Sequence, residues 1–132
     1  VDRGVKVRVL TNSLQSVDEP AVSIPIVRSA KKLAEAKAEV YLRKGTTLHS
    51  KLMVVDSEFS MIMSYNLHPR SERFEGEMAI AVLDKAFAEN LVKVFEKDIA
   101  ADKADQILDP AKVEIPNSSV SPLVLRLFFD DL

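Results

Sequence analysis

Three short apolar segments separated by polar turns constrain the fold of this chain most. They cover residues 48–55, 59–64 and 78–83, and each has the length and apolar character of a β-strand. The polar pair Asp56-Ser57 between the first two predicts a turn, so these segments are expected to form a hairpin. The third segment is almost entirely apolar, which predicts a buried strand.

A strand, a helix and another strand are predicted before this hairpin. Alternation of apolar and polar residues predicts strands near residues 5–10 and 38–42. Asp18 is a suitable cap for a helix between them. Pro25 is expected to delay the regular part of that helix to about Ile26, because proline lacks the backbone N–H that helix interiors need.

A second helix is predicted after the third apolar segment. Asp84 can cap it, and it is expected to extend to about residue 101. Its apolar stripe consists of residues four positions apart, namely Phe87, Leu91, Phe95 and Ile99. Residues 109–119 are predicted to be irregular, with a short apolar helix near 121–131. The order of elements predicts a layered α/β domain.

Composition excludes several classes of protein. The chain of 132 residues has no cysteine, which excludes disulfides, cysteine-zinc sites and thiol catalysis. It has only 2 histidines, His49 and His68, so a zinc site built from several histidines is not expected. Its 18 Lys and Arg against 20 Asp and Glu give a formal charge of -2, which disfavours a nucleic-acid partner.

Four polar residues at the hairpin are the candidate site. His49 and Lys51 lie two apart on a predicted strand and therefore point to the same face. Ser64 and Asn66 lie two apart at the end of the partner strand, so the hairpin is expected to bring them near His49 and Lys51. A lysine charge, hydroxyl and amide donors, and a histidine that can attack or transfer a proton would suit a phosphate.

Each of these residues also has an ordinary structural explanation. A single histidine on a strand is usually a surface residue or a hydrogen-bonded core residue. Lys51 alone fits a solvated strand position, and Ser64 and Asn66 alone fit a turn. Only their joint spacing favours phosphate chemistry.

That joint spacing resembles the motif of the phospholipase D superfamily. The motif is His-x-Lys, four residues, Asp, six residues, then Gly-Ser-x-Asn. The residues of this chain that fall on it are His49, Lys51, Asp56, Ser64 and Asn66, with Glu77 further along. Residues 4–14 are more particularly similar to the bacterial cardiolipin synthases of the C type.

Two positions depart from the family pattern. Met63 stands where the family has glycine, which adds bulk where backbone would approach the ligand. Glu75 stands where the family has asparagine, and a further carboxylate near a phosphate would repel the substrate. Either change could weaken or abolish activity.

The resemblance implies a mechanism in which two His-x-Lys motifs form one site. One histidine attacks phosphorus to give a phosphohistidine, and the other protonates the leaving alcohol. His49 is expected to be the general acid, and Glu77 to accept a hydrogen bond that fixes its tautomer. Lys51, Ser64 and Asn66 would hold the phosphate oxygens.

The resemblance assigns less direct roles to the other candidates. Asp56 is expected to brace the turn. Arg70 and Arg73 flank the motif and could bind a lipid headgroup or phosphate, although a solvated loop explains them equally well. The implied chemistry needs no metal and no other cofactor.

One motif in the chain implies half a site. Residues 1–108 are expected to be a phospholipase D-like C-terminal half, a mixed β-sheet flanked by helices and missing its first strand and helix. Residues 109–132 are expected to form a tail that packs on the missing half or contacts a membrane interface. The expected partners are a phospholipid and either the N-terminal half of a parent chain or a second copy of this one. The resemblance places such an enzyme at the cytoplasmic side of a bacterial membrane.

Three functions remain open from the sequence. The first is a phosphatidyltransferase or phosphodiesterase acting on phospholipids, similar to cardiolipin synthase. The second is a single-motif homodimeric phosphodiesterase or nuclease, which the net charge disfavours. The third is an inactive or structural half-domain, which Met63 and Glu75 favour. The first is favoured, and this chain alone is expected to be inactive.

Overall fold

The described structure is a computed structural model covering residues 1–18, 20–66 and 76–116. The elements in those ranges are β1 (Arg8–Asn12), α1 (Pro20–Glu35), β2 (Glu39–Arg43), β3 (Lys51–Val55), β4 (Phe59–Met63), β5 (Ala79–Leu83), α2 (Lys85–Asp98), β6 (Ala104–Gln106) and a 3-10 turn (Pro110–Lys112). The chain forms two compact units. The described residues of the first unit are 1–18, 20–48 and 98–116, and those of the second are 49–66 and 76–97.

The first unit is a three-stranded sheet carrying one helix. Its strand order is β1-β2-β6, with β1 and β2 parallel and β6 antiparallel to β2. The helix α1 connects the two parallel strands, which need such a crossover. Ala30 of this helix, together with Ala38 and Val40, forms the buried core.

The prediction for the start of α1 is wrong. The helix begins at Pro20 and continues through Pro25 instead of starting near Ile26. Pro25 removes one backbone hydrogen bond in the second helical turn. It is itself buried, as are Val27 and Ala30 on the turns that follow. Burial of this face offsets the lost bond, because tertiary packing supplies most of the stability of short helices.

The second unit contains the predicted hairpin. Its strands are antiparallel in the order β3-β4-β5. The turn at residues 56–58 has positive φ at Asp56 (52°) and Ser57 (55°), and the Glu58 N–H donates to the Val55 carbonyl at 3.1 Å. The N-cap of α2 is also confirmed, since the Phe87 N–H donates to Asp84 Oδ1 at 2.7 Å. The predicted α/β class is therefore confirmed.

The prediction that the third apolar segment is a buried strand is wrong in one respect. Residues 79–83 do form β5, but Ile80 is 59% exposed and Leu83 is 81% exposed. Met78, just before the strand, is 72% exposed. A continuous apolar run means that both faces of the strand suit an apolar neighbour. In the described part of the chain, neither face of β5 is completely covered.

One strand was not predicted, and two predictions fall outside the described ranges. The strand β6 has only three residues, of which Ala104 alone is buried, so it carries no periodic signal. The loop at 67–75 and the apolar helix near 121–131 lie outside the described residues. Within the described ranges, neither helix is long and apolar enough to cross a membrane.

Candidate active site

Three strand ends of the second unit meet at one end of its sheet. Lys51 begins β3 and pairs with Met63 at the end of β4, which pairs with Ala79 at the start of β5. Antiparallel pairing therefore brings to this end the candidates that flank the strands. They are His49, Ser64, Asn66 and Glu77.

His49 and Lys51 are in direct contact. The Lys51 ammonium Nζ lies 3.1 Å from His49 Nε2 and donates to the His49 carbonyl oxygen at 2.9 Å. An ammonium group can only donate, so this contact corresponds to the tautomer in which Nε2 is the acceptor. The imidazole is exposed and Lys51 is half-buried, so a ligand can reach both side chains.

Ser64 and Glu77 form a second contact at the same end of the sheet. The Ser64 hydroxyl donates to Glu77 Oε2 and accepts the Met78 N–H at 3.0 Å. The backbone N–H of Ser64 donates to the Met78 carbonyl at 2.9 Å, which continues the pairing of β4 with β5 by one residue. The Ser64 side chain is thus oriented by its neighbours on the next strand.

The register of the hairpin differs by one residue from a direct pairing of Lys51 with Ser64. Lys51 lies opposite Met63, because the loop at residues 56–58 contains three residues. Adjacent positions of a strand project to opposite faces, so a shift of one residue exchanges them. The residue on the Lys51 face is consequently the half-buried Met63, which replaces the glycine of the family motif.

Asp56 lies apart from the other candidates. It is the first residue of the turn, at the far end of β3. Five residue steps of extended chain separate it from Lys51, a distance of about 17 Å. Its backbone adopts the left-handed region that aspartate tolerates better than most residues. This position suits a residue that shapes the turn.

Arg70, Arg73, Glu75 and His68 lie outside the described residues. In the described ranges, no three His, Asp or Glu side chains are grouped closely enough to hold a metal ion.

A side-chain contact to Leu48 was not predicted. The Asn12 side chain bonds both backbone groups of Leu48, the residue before His49. In the sequence, residues 11–13 resemble only a polar exit from a strand. A contact between residues this far apart leaves no periodic signal in a single sequence.

Comparison with known proteins bears on the family. The sequence profile of the family described as "Cardiolipin synthase, PLD-like domain" matches residues 1–99 of the 132. Cardiolipin synthase C of Escherichia coli is 30% identical over 113 residues, covering 72% of this chain and 24% of that protein. Cardiolipin synthase A of Pseudomonas entomophila is 33% identical over 105 residues, covering 80% of this chain and 21% of that protein.

A third relative has a similar level of identity. Cardiolipin synthase 1 of Staphylococcus epidermidis is 31% identical over 86 residues, covering 65% of this chain and 18% of that protein. The chain thus spans about a quarter or less of the length of these three relatives. The profile match and the shared identity agree with the motif at the end of the sheet. The chain belongs to the phospholipase D-like domain family of the cardiolipin synthases.

Proposed function

We propose that this chain supplies half of a phospholipase D-type active site that acts on the phosphodiester of a phospholipid. The observation that carries the proposal is that the His49–Lys51 pair and the Ser64–Glu77 pair lie at the same end of one sheet. The other half would come from another part of a longer protein or from a second copy of this chain. Membership of the cardiolipin synthase family favours phosphatidyl transfer between lipids.

In this proposal Lys51, Ser64 and Asn66 hold the non-bridging phosphate oxygens. Ser64 and Asn66 lie beyond the last residue of β4, where the alternation of faces within the strand no longer applies. The Lys51 ammonium now donates to His49, but a phosphate oxygen carries negative charge and is a stronger acceptor. The ammonium would turn toward the phosphate and release Nε2 of His49. Charge fixed in this way stabilises the additional negative charge of the transition state.

Glu77 is proposed to orient the imidazole of His49. His49 lies two residues before β3 and Glu77 two residues before β5, at the same end of the sheet. Two strand spacings separate β3 from β5 by about 10 Å. Histidine and glutamate side chains can bridge such a gap. A carboxylate accepting from Nδ1–H would leave Nε2 directed at the substrate.

His49 is proposed as the general acid. The histidine of the other half attacks phosphorus, the bond from phosphorus to the leaving alcohol breaks, and protonated Nε2 of His49 gives its proton to that alcohol. Water or a second alcohol then attacks the phosphohistidine and returns a proton to His49. Which acceptor is used decides between hydrolysis and transfer.

A second candidate, an inactive half-domain, is supported by Met63. Its side chain lies on the face of Lys51 and directly beside it, where the family motif has no side chain at all. If this bulk excludes the phosphate, the chain would keep the fold and lose the chemistry. Replacing Met63 with glycine separates the two candidates, because only a blocked site would gain activity.

The test is made with the second half of the site present, as part of a longer chain or as a second copy of this one, and with phosphatidylglycerol vesicles as substrate. Formation of cardiolipin and release of glycerol are measured for the wild type, His49→Asn and Lys51→Ala. We expect both variants to lose at least about a hundredfold in rate, because each removes a group that acts on the transition state. Lys93→Ala, at an exposed position on α2, is the matched control and should keep full activity. Undiminished product formation in His49→Asn would refute the proposal.

A further inference from the structure

We infer that Asn12 is a positioning residue for His49, acting through the peptide that joins Leu48 to His49. The inference rests on the proposed function, in which His49 transfers a proton. The contact that carries it, between Asn12 and Leu48, lies within the first unit, and Leu48 is covalently joined to His49.

The Asn12 amide bonds Leu48 in the manner of a neighbouring strand. Its Nδ2 donates to the Leu48 carbonyl oxygen at 2.9 Å, and its Oδ1 accepts the Leu48 N–H at 2.8 Å. The Leu48 carbonyl belongs to the same planar peptide as the nitrogen and Cα of His49. Holding this oxygen therefore fixes the plane from which the His49 side chain projects.

The peptide on the other side of His49 is held as well. Lys51 Nζ donates to the His49 carbonyl oxygen at 2.9 Å. Regular pairing of β3 begins only at Lys51, so the ladder does not constrain residues 48–50. Asn12 and Lys51 thus restrain the two peptides that flank the His49 Cα, in the absence of strand pairing.

A buried serine supports the orientation of Asn12. The Ser16 hydroxyl is buried and donates to Asn12 Oδ1 at 3.1 Å, while the Ser13 N–H donates to that hydroxyl at 2.9 Å. The Thr47 hydroxyl donates to the Ser16 carbonyl at 2.6 Å. Because the Leu48 N–H can only donate and its carbonyl can only accept, a rotated amide would place Nδ2 against the N–H and Oδ1 against the carbonyl oxygen. The Asn12 side chain therefore has one favoured orientation.

The experiment follows Leu48 and His49 by NMR in this chain labelled with 15N. Hydrogen exchange of the Leu48 amide reports its bond to Asn12, and the imidazole nitrogens of His49 report its surroundings. The chain has 2 histidines, so His68→Gln assigns the signals. Inorganic phosphate is the ligand probe, titrated against the His49 signals.

Two substitutions at Asn12 separate its two hydrogen bonds. In Asn12→Ala the Leu48 amide should exchange at least about tenfold faster, the His49 signals should shift, and phosphate should bind about threefold to tenfold more weakly. Asn12→Asp keeps an acceptor for the Leu48 N–H but has no donor for its carbonyl. It should preserve the slow exchange and still shift the His49 signals. Asn90→Ala, on the exposed surface of α2, is the control and should change neither.

The outcomes distinguish this inference from the proposed function. Unchanged Leu48 exchange in Asn12→Ala would overturn the inference. So would faster exchange with wild-type His49 signals, since Asn12 would then act only on Leu48. If wild-type His49 does not respond to phosphate, the proposed function fails for this chain. The inference about Asn12 is then decided by the shift of the imidazole signals alone.

Discussion

Two buried serines are expected to respond to the same substitution with opposite changes in stability. Ser60 lies in the middle of β4, is 0% exposed, and its hydroxyl has no hydrogen-bond partner among the described residues. Ser16 is 2% exposed, and its hydroxyl accepts the Ser13 N–H at 2.9 Å and donates to Asn12 at 3.1 Å. The comparison isolates the hydrogen bonds, because both substitutions remove one buried oxygen.

The magnitudes follow from what each substitution leaves behind. Ser60→Ala removes an unpaired hydroxyl, whose burial costs about 1–3 kcal/mol. Losing the packing of that one oxygen atom destabilises the fold by less than about 1 kcal/mol. The net effect should be a rise of about 1 kcal/mol in the free energy of unfolding. Ser16→Ala leaves the Ser13 N–H without its acceptor and should lower the free energy of unfolding by about 1–3 kcal/mol.

Urea denaturation followed by far-UV circular dichroism measures both variants. An unchanged dependence on urea with a shifted midpoint would show that stability alone has changed. Ser50→Ala, at an exposed position, should leave the midpoint where it is. If Ser60→Ala destabilises the chain as much as Ser16→Ala does, the hydroxyl of Ser60 has a partner and the reasoning is refuted.

Three further substitutions test the site and its supporting fold. Lys51→Met should weaken the binding of inorganic phosphate by roughly tenfold to a hundredfold, because it removes a charge-assisted hydrogen bond. Titration with phosphate measures the affinity, and an unaltered value would contradict the role of Lys51. Met63→Gly should leave phosphate binding unchanged and lower stability by about 1 kcal/mol, as glycine does inside a strand; stronger binding would favour the blocked, inactive half-domain. Asp84→Ala should cost about 0.5–2 kcal/mol in thermal or urea unfolding, since it removes the N-cap of α2; an unchanged midpoint would mean that this cap does not contribute.

The type of each main element could be predicted because local pattern determines it. The apolar segments around Asp56 form the expected hairpin, and Asp84 caps the expected helix. The register could not be predicted, since it depends on a loop whose first two residues have positive φ. Pro25 lies inside a helix because burial outweighs one lost bond, and burial is a property of the tertiary structure.

The candidate site was predictable to a similar degree. The spacing of His49, Lys51 and Ser64 was enough to predict that they lie at one end of the sheet. The identity of the residue that lies beside Lys51 was not, because a shift of one residue exchanges the faces. Asn12 could not be found, because its contact with Leu48 spans the whole of α1 and β2.

The exposed strand β5 affects how this chain behaves at high concentration. It forms one edge of the β3-β4-β5 sheet, and it has the sequence Ala-Ile-Ala-Val-Leu with neither a charged residue nor a proline. Natural edge strands usually carry lysine, proline or a bulge, which prevents the addition of strands from other molecules. A segment of this kind, apolar and uncharged, favours intermolecular β-pairing. Colloidal stability in solution therefore depends on whatever covers this one edge.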